Sequence, residues 1–174
     1  MVIDQGKTLA SGSVFDMLGR SDLPPLAGQF DAGTVLPARI VSRDPKAEVS
    51  FLECAGQRIV VPYLGRPASH QVRLHIRARD VMIARTAPSG ISANNIIPVT
   101  ITDISDLDGD TVDISLCFGH DADASLFAAT SGRPTLHARI TRWSAGRLNL
   151  ERHQKVFAVI KSVTVDGQLS DHSL

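Results

Sequence analysis

The segment QVRLHIRARDVMIARTAPSGISANNIIPVTITDI, residues 71–104, decides the fold. It opens with Val72, Leu74 and Ile76 alternating with charged or polar residues, which is the period-2 pattern of a half-buried strand. A second short strand is predicted at residues 81–84. A break that contains proline and glycine then separates it from a further strand that begins at IIPVTITD. Two sheets are therefore expected to meet in this segment.

Composition limits the classes of protein that this chain can represent. It has 174 residues, of which 43% are hydrophobic, and 18 basic residues balance 18 acidic ones. That length and apolar content suffice for one buried core or two small ones, whereas the charge balance gives no global field to attract nucleic acid. Cys54 and Cys117 are the only cysteines and are predicted to be buried small hydrophobes in a reducing compartment. No apolar run is long enough to cross a bilayer.

From Phe30 onward, short strands follow one another at a spacing typical of small barrels. Glycine, proline and aspartate punctuate them. Five strands in about 55 residues indicate a small closed barrel of the OB type. The predicted strands are 34–42, 47–53, 57–62, 72–77 and 81–84.

The second half of the sequence repeats the first. VLPARIVS (35–42) matches IIPVTITD (96–103), AEVSFLECAGQ (47–57) matches DTVDISLCFGH (110–120), and VRLHIRARDV (72–81) parallels VFAVIKSVTV (156–165). The sequence therefore predicts an all-β protein made of tandem OB-like small β-barrels, with one or two short helices. The first barrel is expected at 27–88 and the second, with a C-terminal tail, at 89–174.

Two segments fall outside this repeat. ITRWSAGRLNL, residues 140–150, has apolar spacing that favours a short helix, and its Trp143 is predicted to pack in the core or at an interface. Residues 1–26 contain a predicted two-stranded ribbon, a helical turn at 14–18 and a proline-containing linker. Because a ribbon and one turn cannot fold alone, residues 1–26 are expected to be the tail of a preceding domain and its linker.

The sequence contains no recognisable catalytic motif. A phosphate loop, HExxH, GxSxG and paired Cys/His sets are all missing from it. The six histidines show no ligand spacing and are expected to be surface or strand residues. The sequence DLDGD, residues 106–110, lacks the glutamate of a calcium loop and is predicted to be a hairpin turn.

Small hydrogen-bond donors remain at the ends of predicted strands in the second half. They are Ser92, Asn94, Asn95, Thr141, Ser144, Lys161 and Ser162. Hydroxyls, free N–H groups and one cation without a carboxylate match what a tetrahedral oxyanion requires. The spacing alone is also compatible with ordinary helix caps and strand-end polar groups.

RxRxxDVxxA followed by GISAxNxxPxxV resembles the C-terminal region of the ATP-binding subunit of molybdate ABC transporters, which carries the MOP or TOBE-type barrel. FDAGTVLPARI, VPYLGRP, ARITRWSAGRLNL and VFAVIKSV follow in the order of that family. The resemblance implies that residues 1–26 are the end of the transporter's ATPase domain. It also implies that this chain, which lacks the phosphate loop, is a regulatory region without enzymatic activity of its own.

The resemblance further implies a molybdate or tungstate site between paired barrels or subunits, with no other cofactor and no bare metal cation. Carried over position by position, its residues are Ser92, Ala93, Asn94, Thr141, Ser144, Lys161 and Ser162. Several small molybdate binders of the family have arginine where this chain has Asn94. That departure is expected to lower affinity and to leave Lys161 as the full positive charge.

The function implied is that of a cytoplasmic oxyanion sensor at the inner face of the membrane, which also holds two ATPase subunits together as a homodimer. Contact with the membrane subunits would run through the missing ATPase domain, without membrane insertion by this chain. The alternative is a purely structural dimerisation module that binds no ligand. Nucleic-acid binding is disfavoured, because aromatic residues make up only 5% of the chain and the charges balance.

Overall fold

The computed structural model describes residues 33–106, 109–120 and 134–166, together with the backbone of 2–4 and 7–10. Within these residues the protein is almost entirely β-structure. Twelve strands are β1 Val2–Asp4, β2 Lys7–Ala10, β3 Gly33–Asp44, β4 Val49–Cys54, β5 Gln57–Pro62, β6 Gln71–Arg77, β7 Val81–Ala84, β8 Asn95–Asp106, β9 Thr111–Phe118, β10 Thr135–Thr141, β11 Lys155–Ile160 and β12 Thr164–Asp166. One helix, α1, spans Arg142–Leu148, and a 3₁₀ turn spans Ala78–Asp80.

Ten of the strands form two antiparallel sheets of five strands each. The first sheet has the order β12-β6-β3-β4-β5, and the second has the order β10-β9-β8-β11-β7. In the second sheet β10 also contacts β7, at the opposite edge, so that this sheet curls toward a barrel. The predicted all-β fold of tandem OB-like barrels is confirmed.

The two halves exchange their last strands. Strand β7, from the first half, pairs with β11 in the second sheet, where Ile83 lies opposite Ala158. Strand β12, from the second half, pairs with β6 in the first sheet, where Val165 lies opposite Leu74. Each sheet is therefore completed by the other half of the chain. The division into barrels at 27–88 and 89–174 remains a prediction, and the sheets share strands across it.

Alternation of apolar side chains builds one continuous core across both sheets. In β6, Val72, Leu74 and Ile76 are buried while their neighbours are half-buried or exposed, as the period-2 pattern predicts. In β8, Ile97, Val99 and Ile101 face inward in the same way. These side chains belong to a single cluster that joins both sheets.

Both cysteines are free and buried, as predicted. Cys54 is 2% exposed and Cys117 is 4% exposed. Burial raises the pKa of the Cys54 thiol to about 11, because a thiolate there would lose its hydration. Cys54 therefore packs as an apolar side chain and is not a nucleophile.

The helix predicted within 140–150 is present, but its tryptophan does not enter the core. Trp143 is 72% exposed, and the guanidinium of Arg147 lies 5.0 Å from the centre of its ring. None of the seven residues of α1 is buried, because the helix lies outside the barrel. Of the two predicted positions for Trp143, the core is therefore wrong, and packing at an interface stays a prediction.

At the N-terminus, β1 and β2 form the predicted antiparallel ribbon. The helical turn predicted at 14–18 lies outside the described residues. The DLDGD turn is described only in part, but β8 and β9 on either side of it pair as a hairpin requires. No group of histidine, cysteine and acidic residues in the described parts of the chain could hold a metal ion, and no helix there is long and apolar enough to span a membrane.

Candidate oxyanion-binding site

The segment Ser92–Asn94 leads directly into β8 and alternates between exposed and buried residues. Ser92 and Asn94 are exposed, whereas Ala93 is 9% exposed and Asn95 only 4%. The buried residues fix the segment to the protein. The hydroxyl of Ser92 and the amide of Asn94 are thus presented to solvent from an anchored backbone.

Lys161 and Ser162 follow β11 and lie beside this segment. The last pair of the β8–β11 ladder joins Asn95 to Ile160. Since the strands are antiparallel, the chain that precedes Asn95 runs alongside the chain that follows Ile160. Both Lys161 and Ser162 are exposed, and Lys161 forms no ion pair with the described residues. We call residues 92–94 and 161–162 the first half-site.

Thr141 and Ser144 form a second group at the start of α1, which we call the second half-site. The Oγ1 atom of Thr141 caps the helix by accepting a hydrogen bond from the backbone N–H of Ser144 at 3.1 Å, and the Thr141 hydroxyl donates to the Oγ of Ser144 at 2.9 Å. Both hydroxyls therefore lie on one side of the helix start. No acidic residue occupies the first turn.

A carboxylate does lie close to the second half-site. Asp106 accepts a hydrogen bond from Arg142 at 2.6 Å, and Arg142 also bonds to the carbonyl of Gly109. The ion pair offsets the negative charge of Asp106 beside Thr141. Arg142, which follows the predicted Thr141 directly, is a cation that the sequence reasoning missed.

Within one chain the two half-sites are separate. Thr141 pairs with Thr111 on β9, and Val112 pairs with Asp106 at the far end of β8, whereas the first half-site lies before Asn95 at the near end. Strand β8 is 12 residues long, and none of the hydrogen bonds among the described residues joins the two groups. The seven predicted residues thus form two clusters at opposite ends of β8.

Asn95 is the residue of this region whose role the sequence did not reveal. Its side-chain oxygen accepts from the N–H of Val60 at 2.7 Å, and its side-chain nitrogen donates to the carbonyl of Val60 at 2.9 Å. The SAxN pattern draws attention to Asn95. Only the folded chain shows that its amide points inward, to the first sheet.

Comparison with known proteins agrees with the fold. A family model for the TOBE domain matches residues 91–166, which include all seven predicted residues. The chain is 37% identical to the molybdenum import ATP-binding protein ModC of Mesorhizobium japonicum over 95% of its own length and 41% of that protein. It is 36% identical to the ModC protein of Thiobacillus denitrificans, over 96% of this chain and 42% of that protein.

A solved structure shows the same fold at low sequence identity. The cytoplasmic molybdate-binding protein ModG, in a crystal form with molybdate bound, superposes with a TM-score of 0.57 at 19% identity and covers 76% of this chain and 94% of ModG. The chain spans less than half the length of the curated relatives that it matches. Residues 91–166 thus match the TOBE domain model, and the chain is similar over nearly its whole length to the C-terminal region of molybdenum import ATP-binding proteins.

Proposed function

We propose that this chain is a regulatory domain that binds molybdate or tungstate within the ATP-binding subunit of a molybdate importer. The single observation that carries the proposal is the first half-site. Its residues adjoin the last pair of the β8–β11 ladder and supply two hydroxyls, an amide and an ammonium without a carboxylate of their own, while Asp80, which precedes the β7 partner of Ile160, flanks Lys161 on the other side. The names of the relatives, which refer to molybdenum import and to molybdate binding, support the choice of ligand.

The chemistry of the half-site suits a tetrahedral dianion. Each oxide oxygen accepts hydrogen bonds and donates none, so a site made of donors with no competing acceptor favours it. Lys161 supplies one positive charge and up to three donors. Asn94 supplies donors without charge, so affinity here depends more on Lys161 than it would with arginine at position 94.

A complete site requires the second half-site of another copy. Thr141 donates its hydroxyl to Ser144, so that the O–H of Ser144 is the donor this pair offers at the opposite end of β8, where their own first half-site does not lie. We propose that a homodimer brings Thr141 and Ser144 of one copy against residues 92–94 and 161–162 of the other. Sedimentation velocity at micromolar concentration tests this, and a mass of one protomer would contradict it.

The remaining features of this function follow from the relatives. Because the chain covers about two fifths of each, an ATPase domain, contact with membrane subunits and a position at the cytoplasmic face belong to the parent subunit in this proposal. The chain itself would bind and sense the anion without catalysis. Anion binding could regulate import by favouring one arrangement of the two subunits over another.

Calorimetric titration with molybdate, tungstate and sulfate tests the proposal. Molybdate and tungstate should release heat, and sulfate should not. Lys161→Ala should weaken molybdate binding roughly tenfold or more, because hydrogen bonds to a charged group are the strongest available at this site. Lys155→Ala is the matched control, since Lys155 is exposed at the other end of the same strand.

The alternative, a structural dimerisation module that binds nothing, predicts a different result. Exposure of the first half-site and the neutral Asn94 favour it. Under this alternative Lys161→Ala changes neither heat nor mass, and no anion releases heat from the folded dimer. Loss of molybdate binding with an unchanged sedimentation mass would exclude it.

A further inference from the structure

The side chain of Asn95 hydrogen-bonds the edge of the first sheet to the start of β8 in the second sheet. Strand β5 is an edge strand, and its Val60 lies opposite Phe51 on β4. In an antiparallel ladder the N–H and the carbonyl of one residue point to the same side. Since both groups of Val60 bond to Asn95, they face away from β4, at the free edge.

The amide of Asn95 replaces a neighbouring strand at this edge. It offers one acceptor and one donor, which together match the N–H and carbonyl of Val60 as another peptide group would. Aspartate would keep the acceptor but lose the donor, and alanine would lose both. Because Asn95 is only 4% exposed, water has little access to replace the amide.

Asn95 also adjoins the first half-site along the backbone. It directly follows Asn94, and its ladder partner Ile160 directly precedes Lys161. A ligand that orders residues 92–94 and 161–162 would therefore also restrict Asn95, whose side chain is hydrogen-bonded to Val60. The only side-chain amide in the short stretch from Ser92 to Ile96 other than Asn95 is that of Asn94, which is exposed.

We infer that Asn95 is a positioning residue that fixes the first half-site to β5 and couples anion binding to the edge of the first sheet. The ligand-dependent part rests on the proposed function, and the fixing itself does not. A bound anion would restrict residues 92–94, hold the Asn95 amide in place and so protect the N–H of Val60. Anion binding at the first half-site would thereby change hydrogen-bond protection in the first sheet.

Amide hydrogen exchange at Val60, followed by NMR on the whole chain, tests both parts. Without ligand, Asn95→Ala should speed exchange of the Val60 N–H about tenfold, as expected for loss of one buried hydrogen bond, and should shift the amide signals of residues 92–94. With wild-type protein, saturating molybdate should slow exchange at Val60 and leave Arg43, on the central strand β3 of the same sheet, unchanged.

The control is Gln57→Ala, which removes an amide from the same strand without touching the Val60 pair. It should leave both the exchange of Val60 and the dissociation constant for molybdate unchanged, whereas Asn95→Ala should raise that constant severalfold. If Asn95→Ala does not fold, Asn95→Leu, which removes both hydrogen bonds but keeps a side chain of similar size, takes its place with the same expected result.

Separate outcomes distinguish the two proposals. Absence of heat from molybdate with wild-type protein overturns the proposed function, and the ligand-free exchange then still decides whether Asn95 fixes the half-site. The coupling is overturned if molybdate releases heat but does not change exchange of the Val60 N–H. It is also overturned if Asn95→Ala binds molybdate with an unchanged dissociation constant. Equal exchange of Val60 in wild type and Asn95→Ala overturns the fixing role.

Discussion

The two halves of the chain follow the same plan down to individual hydrogen bonds. Strands β3 and β8 each have 12 residues, and each shifts register at the same place, between Ile40 and Ser42 in one and between Ile101 and Asp103 in the other. At that bulge Ile40 bonds to the backbone of 69–70, and Ile101 bonds to the backbone of 153–154. Such agreement shows that the sequence repeat is a repeat of structure.

The halves differ in what fills the equivalent polar positions. In the first half Ser50, buried in β4, accepts a hydrogen bond from the N–H of Leu64 at 2.8 Å. In the second half the matching residue is Asp113, which binds Arg139 through two hydrogen bonds of 2.7 and 2.9 Å. The second half also has α1, whereas the first has an irregular stretch at 63–70. At these matching positions of the described chain, the half that holds the predicted site residues thus has the Asp113–Arg139 ion pair and an α-helix, and the other half has neither.

The sheet edges show a related asymmetry. Asn95, at the start of β8, makes two hydrogen bonds to Val60 on the edge strand of the first sheet. Thr34, at the equivalent position near the start of β3, accepts one bond at 3.2 Å from the N–H of His137 on the edge strand of the second sheet. In both halves, a side chain near the start of the 12-residue strand is therefore hydrogen-bonded to the edge strand of the other sheet. The second half makes two such bonds, and the first half makes one.

The largest expected effect on the free energy of unfolding comes from breaking the Asp113–Arg139 ion pair of the second half. Asp113→Ala should lower the free energy of unfolding by about 2 kcal/mol, because Arg139, 26% exposed, would lose the two hydrogen bonds that Asp113 accepts from its partly buried charge. Urea unfolding measures this. Adding Arg139→Met should restore part of the loss, and a loss below about 1 kcal/mol for Asp113→Ala would contradict the assigned role.

A smaller effect is expected at the matching position of the first half. Ser50→Ala should cost about 1 kcal/mol, since it leaves the N–H of Leu64 without an acceptor but strands no charge. The same unfolding experiment applies, with Ser42→Ala as an exposed control on β3. Equal losses for Ser50→Ala and Asp113→Ala would remove the distinction between the halves.

The next effect is a dependence on pH that belongs to the second half. Burial lowers the pKa of His137 below its ordinary value of 6.5, and the nearby charge of Asp113 opposes that shift. Below pH 6.5 the unfolded chain takes up a proton on this histidine more readily than the folded chain does, because the folded-state pKa is lower. The free energy of unfolding is therefore highest above pH 6.5 and falls as the pH drops toward the folded-state pKa. Between about pH 7.5 and about pH 5.5, wild-type protein should therefore lose more unfolding free energy than His137→Gln. Identical losses would show that His137 does not contribute.

The smallest effect is expected at the exposed ion pair of the first half. Arg39 and Glu53 lie 2.8 Å apart, but their side chains are 54% and 50% exposed. Glu53→Gln should change the free energy of unfolding by less than about 0.5 kcal/mol, because solvent screens the pair. A loss comparable to that of Asp113→Ala would mean that exposure does not separate the two ion pairs.

Much of the fold was predictable from local patterns. The period-2 alternation of β6, the turn residues between strands and the internal repeat predict the strands and the tandem barrels, because side-chain direction in a strand depends only on sequence position. The exchange of β7 and β12 was not predictable in this way. Which sheet a short edge strand joins depends on contacts between residues far apart in the chain.

For the candidate site, the sequence by itself determined which residue types are present and that Thr141 and Ser144 lie one helical turn apart. Only the tertiary structure decided that Lys161 and Ser162 lie beside Ser92–Asn94, that Thr141 and Ser144 lie at the other end of β8, that Trp143 faces solvent, and that Asn95 turns inward to Val60. The physical reason is the range of the interactions. Strand alternation and helix capping act over a few residues, whereas ladder register and the burial of a polar amide are set by partners from distant parts of the chain.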